Sequence, residues 1–253
     1  CARSSNWKEG YGYTVATEMY SAGIERLTHQ PLSFSVSETT EGVHIHIIDA
    51  ELMGKGEKEK KDLYIEGVQN NGIINHYEYI INSEGTIEIR HVLKPEGKMP
   101  LWFPRIGLTL TVSDALDQVK WYGRGPQENY PDRKTGYPTG IYASTVQAMY
   151  EPYLMPQDYG LRTDVRWLQL TTDKGIGLQF KMNEWFNFNI YPYSTDNLTK
   201  AMYTYQLQKQ KGMTLNLDYA TTGVGCTARG VFGAYKAMPQ EYRRTISIKP
   251  MMK

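Results

Sequence analysis

Apolar and polar residues alternate along this chain in short bursts separated by turn residues. Val43-His44-Ile45-His46-Ile47 puts three apolar side chains on one face of an extended segment and two histidines on the other, because successive strand side chains point to opposite faces. The same period recurs in Thr86-Ile87-Glu88-Ile89-Arg90-His91-Val92 and in Ile106-Gly107-Leu108-Thr109-Leu110-Thr111-Val112. Tyr77–Ile81, Val119–Tyr122, Trp167–Thr171, Ile176–Met182, Phe186–Tyr191, Leu215–Tyr219 and Thr245–Ile248 are further candidate strands. Glu41-Gly42, Asn71-Gly72, Glu84-Gly85, Asp173-Lys174-Gly175 and Lys211-Gly212 supply turns between them. Many short strands at this spacing predict an antiparallel sandwich or barrel. Helical signal is confined to Ser194-Thr195-Asp196-Asn197-Leu198, whose capping residues open a short helix reaching about Tyr203. A (β/α)₈ barrel of about 250 residues would need an amphipathic helix after nearly every strand. The pattern is all-β.

Composition narrows the picture. The 253 residues suit one large domain or two small ones; with no internal repeat or low-complexity linker, residues 1–253 read as a single domain. Twenty-eight basic against 27 acidic side chains leave a net charge of +1, which lacks the electrostatic footprint of a nucleic-acid or membrane-surface binder. No apolar run approaches the roughly 20 residues that span a bilayer, and no secretory signal pattern opens the sequence. A mean hydropathy of -0.53 and 40% apolar residues predict a soluble globular chain. Twenty tyrosines, against five Trp and six Phe, suit both strands and sugar recognition. Cys1 and Cys226 are too few for a disulfide framework or a Cys-based zinc site. Cytoplasm and periplasm both stay open.

Candidate chemistry is sparse. His44 and His46 share a strand face and could begin a metal site, but no third ligand is evident nearby, so they read as a solvent-facing pair. Lys55 to Asp62 mixes Lys and Glu around glycines without phosphate-loop spacing, and reads as a solvated hairpin tip. No Ser or Cys sits in a nucleophile elbow. Glycoside hydrolysis needs two carboxyls flanking the scissile bond, and Glu128 with Asp132, or Asp158 with Asp164, could be imagined there. The simpler reading pairs these acids with Arg124, Arg133, Arg162 and Arg166 to order loops. Trp102, Trp121, Trp167 and Trp185 are expected in the core.

One stretch is far more specific. Trp121-Tyr122-Gly123-Arg124-Gly125-Pro126-Gln127-Glu128-Asn129-Tyr130-Pro131-Asp132-Arg133 resembles the G-x-G-P-x-E-N-Y-P-D-R signature of the C-terminal (small-chain, domain 5) region of LacZ-type β-galactosidases, glycoside hydrolase family 2. Pro104-Arg105-Ile106-Gly107-Leu108, Met149-Tyr150-Glu151-Pro152-Tyr153, Gly160-Leu161-Arg162-Thr163, Phe188-Asn189-Ile190, Leu215-Asn216-Leu217-Asp218 and Gly223-Val224-Gly225 follow in the family's order. The resemblance implies a galactose-mutarotase-like antiparallel β-supersandwich that begins inside the family's last domain, without its first strands. It implies an accessory role beside a catalytic (β/α)₈ barrel of the same polypeptide, which would supply both catalytic glutamates and most ligands of the Mg²⁺ and Na⁺ ions used by the full enzyme. No cofactor, metal or catalytic residue is expected in this segment. The partners so implied are the barrel, a β-galactoside and a further copy of the full-length enzyme.

The same resemblance assigns Arg124, Glu128, Asn129, Tyr130, Asp132, Arg133 and Arg162 to a structural signature loop. The family often carries Trp shortly after its G-x-G turn, reaching the substrate pocket. Here the stretch reads Gly223-Val224-Gly225-Cys226-Thr227-Ala228-Arg229-Gly230-Val231-Phe232, and Arg229 and Phe232 become the substrate-proximal candidates. Two rival readings stay open: a stand-alone aldose 1-epimerase-like enzyme and a non-catalytic carbohydrate-binding module.

Overall fold

The computed structural model describes residues 23–53, 71–225 and 230–252. Among these residues run the antiparallel strands β1 (Thr28–Thr39), β2 (Gly42–Leu52), β3 (Gly72–Ile81), β4 (Ile87–Glu96), β5 (Arg105–Val112), β6 (Gln118–Arg124), β7 (Thr139–Thr145), β8 (Arg162–Thr171), β9 (Gly177–Tyr191), β10 (Met213–Thr221) and β11 (Tyr242–Met251). One short helix, α1 (Thr195–Lys200), begins at Ser194, whose side chain accepts the Asn197 amide. It stops at Lys200 rather than near Tyr203. The all-β antiparallel expectation holds, and no described helix is long and apolar enough to cross a membrane. The Lys55–Asp62 run lies outside the described residues, as do Cys1 and Cys226.

The described residues divide into two compact units, one built on those from Gly23 to Phe103 with Met238–Ser247, the other on those from Pro104 to Ala237 with Ile248 to Met252. In the first, β1 to β4 form a meander in chain order. In the second, β10 lies between β5 and β9, and the sheet continues from β9 through β8 and β6 to β7. Its core gathers Val119, Trp121, Val165, Leu168, Leu170, Phe180, Phe188, Leu215 and Leu217, all essentially buried.

Every candidate strand coincides with a strand of the structure, apart from its first residue at Thr86 and at Ile176, and Ile176–Met182 and Phe186–Tyr191 prove to be two parts of the 15-residue β9. Strands β1 and β7 were not anticipated. Trp102 and Trp121 are core residues, whereas Trp167 is only partly buried and Trp185 is 59% exposed, both against the expectation. The Arg166 guanidinium lies 4.1 Å from the Trp185 ring and 4.9 Å from that of Tyr122. A cation on its face, not the core, covers this indole.

Candidate functional site

The signature loop leaves β6 around a buried indole. Trp121 donates through Nε1 to the Arg124 carbonyl at 3.0 Å, packs edge-on against Phe188 and meets Tyr142. Gly125 follows, joined to Pro126 by a cis peptide. A Cβ there would stand 2.8 Å from a Tyr142 ring carbon and 3.0 Å from Trp121, so only glycine lets the chain turn this close to the rings. Asn129 is completely buried, and each of its polar atoms is engaged. Its backbone amide reaches the Leu161 carbonyl at 2.8 Å, its Oδ1 accepts from the Thr163 amide and hydroxyl, and its Nδ2 donates to the Gln127 carbonyl. A side chain with both donors and an acceptor is what such a junction requires.

The charged residues of the loop find different kinds of partner. Glu128 accepts from the Gly160 amide at 2.8 Å, from the Tyr130 hydroxyl at 3.1 Å and from the Tyr153 hydroxyl. Burial, and then the neighbouring Glu128 charge, push the Tyr130 hydroxyl well above the usual phenol range. Arg162, 3% exposed, donates to the Gly160 carbonyl at 2.9 Å and lies 5.4 Å from the Trp121 ring. Burial pulls its guanidinium down to about 10, with Glu128 and Glu151 opposing. Arg124 pairs with Asp164 at 2.5 Å and donates to the carbonyls of Lys134 and Tyr137, while Lys134 takes the other Asp164 oxygen. Asp164 sits at φ 56, where β8 shifts register against β9. A non-glycine residue there is uncommon and needs surrounding structure to hold it. Burial works against ionisation of Asp164, yet its bonds to Lys134 and Arg124 hold it below the ordinary carboxylate value.

Asp132 and Arg133 reach across to another loop. Asp132 accepts the backbone amides of Val224 at 3.0 Å and Gly225 at 2.7 Å, and Arg133 donates to the Gly225 carbonyl at 2.6 Å. A Cβ on Gly223 would lie 2.5 Å from the Asp132 carboxyl carbon, so glycine is needed for the approach. The signature loop thus clamps the start of the Gly223–Phe232 segment. Of the two substrate-proximal candidates, Arg229 lies outside the described residues, and Phe232 is 72% exposed, its carbonyl accepting the Tyr235 amide.

A second polar cluster was not foreseen. Arg105 on β5 donates to Asp218 on β10 at 2.8 Å and to Asn189 on β9 at 3.2 Å, with Asp158 at 3.6 Å. Asn189 in turn donates to Asp158, and Asn216 donates to both Asn189 and Tyr191. Burial pushes Asp218 up to about 6, Arg105 opposing and Asp158 adding to the rise. Burial also disfavours the Asp158 charge, but Arg105 and bonds from Asn189 and Tyr191 hold it below the usual range. Carboxyls driven apart in this way resemble an acid–base pair; here both are engaged by one guanidinium, tying three strands together. Asn216 and Asp218 alternate with Leu215 and Leu217 along β10. Both are buried, because β10 is a central strand covered on each face. Nearby, Tyr150, Tyr159, Tyr193, Thr204 and Lys209 line a cleft of about 220 Å³.

Residues 5–248 match the family model described as Beta galactosidase small chain. A Beta-galactosidase of Priestia megaterium is 38% identical over 147 residues, covering 58% of this chain and 14% of the relative. One from Vibrio cholerae is 39% identical over 122 residues, covering 48% of this chain and 11% of the relative. This chain therefore spans a small fraction of the proteins it matches. Among solved structures, an aldose epimerase homologue from C. elegans aligns with a TM-score of 0.41 at 11% identity, over 86% of this chain and 68% of that one. Galactose 1-epimerase from Lactobacillus acidophilus gives 0.42 at 10% identity, over 88% and 65%. The fold assignment stands on the strand pairing itself. The Trp121–Arg133 signature, the Gly223–Gly225 segment it clamps and the Arg105 cluster all lie inside the matched stretch, and the chain belongs to the β-galactosidase small chain family.

Proposed function

We propose that this chain is an accessory region of a retaining β-galactosidase, which orders one wall of the substrate pocket while a (β/α)₈ barrel elsewhere in the polypeptide cleaves terminal β-D-galactosides. The observation that carries this reading is the Asp132–Arg133 clamp, which engages the backbone of Val224 and Gly225 and so fixes where the Gly223–Phe232 loop emerges. The carboxylates of the signature are spent on structure: Glu128 on two tyrosines and an amide, Asp132 on two amides. The full family members' Mg²⁺ and Na⁺ belong in this reading to the barrel, and Arg229 and Phe232 are the residues of this chain nearest substrate. In the full-length polypeptide, Asp132→Ala should raise KM for a nitrophenyl β-galactoside several-fold and leave both limbs of the kcat pH profile in place, since the acid and base lie elsewhere. Loss of either limb would overturn the accessory reading.

A further inference from the structure

His44 and His46 stand two apart on β2, and the register of β2 with β3 sets Glu78 directly opposite His46. The third ligand missing from the local sequence is therefore supplied across the sheet. His44 Nδ1 lies 3.5 Å and His46 Nε2 lies 4.0 Å from the same Glu78 oxygen, Oε1, and one donor atom from each residue falls within 4.8 Å of the others. Donors at about 2.0–2.2 Å from a tetrahedral ion stand roughly 3.3–3.6 Å apart. The two contacts to Glu78, at 3.5 and 4.0 Å, are already close to that spacing, and a small adjustment of the exposed His46 ring would bring the set onto one ion.

The surroundings favour a cation. Arg90, opposite Glu78 on β4, takes the other oxygen, Oε2, at 3.1 Å, and binds Glu88 through Nε at 2.8 Å. That contact orients Glu78 with Oε1 toward the imidazoles, as an outer carboxylate partner does in metal centres. It also leaves two carboxylates against one guanidinium, a local excess of negative charge. The His44 side chain is only 13% exposed, and its Nε2 is buried without a hydrogen-bond partner among the described residues. Nδ1, which faces Glu78, is therefore the donor atom that His44 offers to an ion. His46 is 51% exposed, which gives an ion and a water molecule a way in.

We propose that His44, His46 and Glu78 form a binding site for a zinc-class divalent transition metal ion, with a fourth position open to water. Two imidazoles and one carboxylate suit Zn²⁺, Co²⁺ or Ni²⁺ and not Mg²⁺ or Na⁺, which prefer all-oxygen shells. The site is thus separate in chemistry from the Mg²⁺ and Na⁺ that the family resemblance implies for the barrel. It clips β2 to β3 and presents a Lewis-acidic face to solvent.

The test uses the 253-residue chain without a polyhistidine tag, stripped by chelator and titrated with Zn²⁺ by calorimetry and with Co²⁺ by visible absorption. One ion per chain should bind with a Kd of about 10 µM or tighter, and Co²⁺ should give the d–d bands of a four-coordinate centre. His46→Ala and Glu78→Gln, both on solvent-reached groups that leave the core intact, should each weaken Zn²⁺ binding by roughly tenfold or more. A wild-type chain that binds Zn²⁺ no better than roughly millimolar, or variants that bind as the wild type does, would overturn the site.

Discussion

Glu128 accepts from two tyrosine hydroxyls and one backbone amide, and its removal strands three donors at once. An unsatisfied buried donor costs about 1–3 kcal/mol, so Glu128→Ala should destabilise the chain by about 3 kcal/mol, or roughly 6–12 °C in Tm at 2–4 °C per kcal/mol for a domain this size. Glu128→Gln, which keeps the shape and one acceptor oxygen, should lose less. A thermal melt with Glu128→Ala unchanged would show that the loop does not depend on these bonds. The signature residues were legible in sequence, since Gly, Pro and alternating charges mark an ordered loop. Their partners were not. Arginine pairing was the natural expectation for all four acids, and Asp164 with Arg124 follows it. Glu128 turns instead to Tyr153 and Gly160, and Asp132 to the amides of Val224 and Gly225, because chain folding brings distant segments together in a way no local pattern encodes.

At the scale of elements, the reading succeeded where one face of a strand is buried and the other solvated. It missed β1, and it found β10 without showing that both faces of that strand are buried. Strand β1 is exposed along nearly its whole length, so burial never selected a continuous apolar set, although Leu32, Phe34 and Val36 do alternate. Strand β10 is buried on both faces, so Asn216 and Asp218 lie inside despite their spacing. Their burial is made tolerable by Arg105, and it leaves a pH signature. Asp218 titrates at about 6 in the fold against 3.8 when free, so between those values the folded state holds the extra proton and this group's contribution falls as pH rises. The difference is worth about 3 kcal/mol at roughly 1.4 per unit, absent below pH 3.8 and complete above 6. In the other unit His91, stacked on Tyr77 at 4.1 Å, is lowered to about 4 by burial and then by His76. Its contribution rises over pH 4 to 6.5, the opposite sign. Asp218→Asn should therefore be relatively more stable, against wild type, at pH 7 than at pH 3.5, by about 2–3 kcal/mol in chemical denaturation. Equal differences at the two pH values would contradict the buried-carboxyl account.

For the whole molecule, family membership and antiparallel all-β pairing agree with what the signature and the strand periodicity implied, while the division into two compact units had no mark in composition. The chain covers 14% of its Priestia megaterium relative, and Leu32, Phe34 and Val36 are exposed on β1. The proposed division of labour makes a chemical claim: the nucleophile of the retaining reaction, which forms a covalent glycosyl-enzyme, is not among these 253 residues. Trapping that intermediate in the full-length enzyme with a 2-deoxy-2-fluoro-β-galactoside, followed by peptide mapping, tests it directly. The label should fall on a carboxylate outside this chain; a label on Glu128, Asp132, Asp158 or Asp218 would contradict the account.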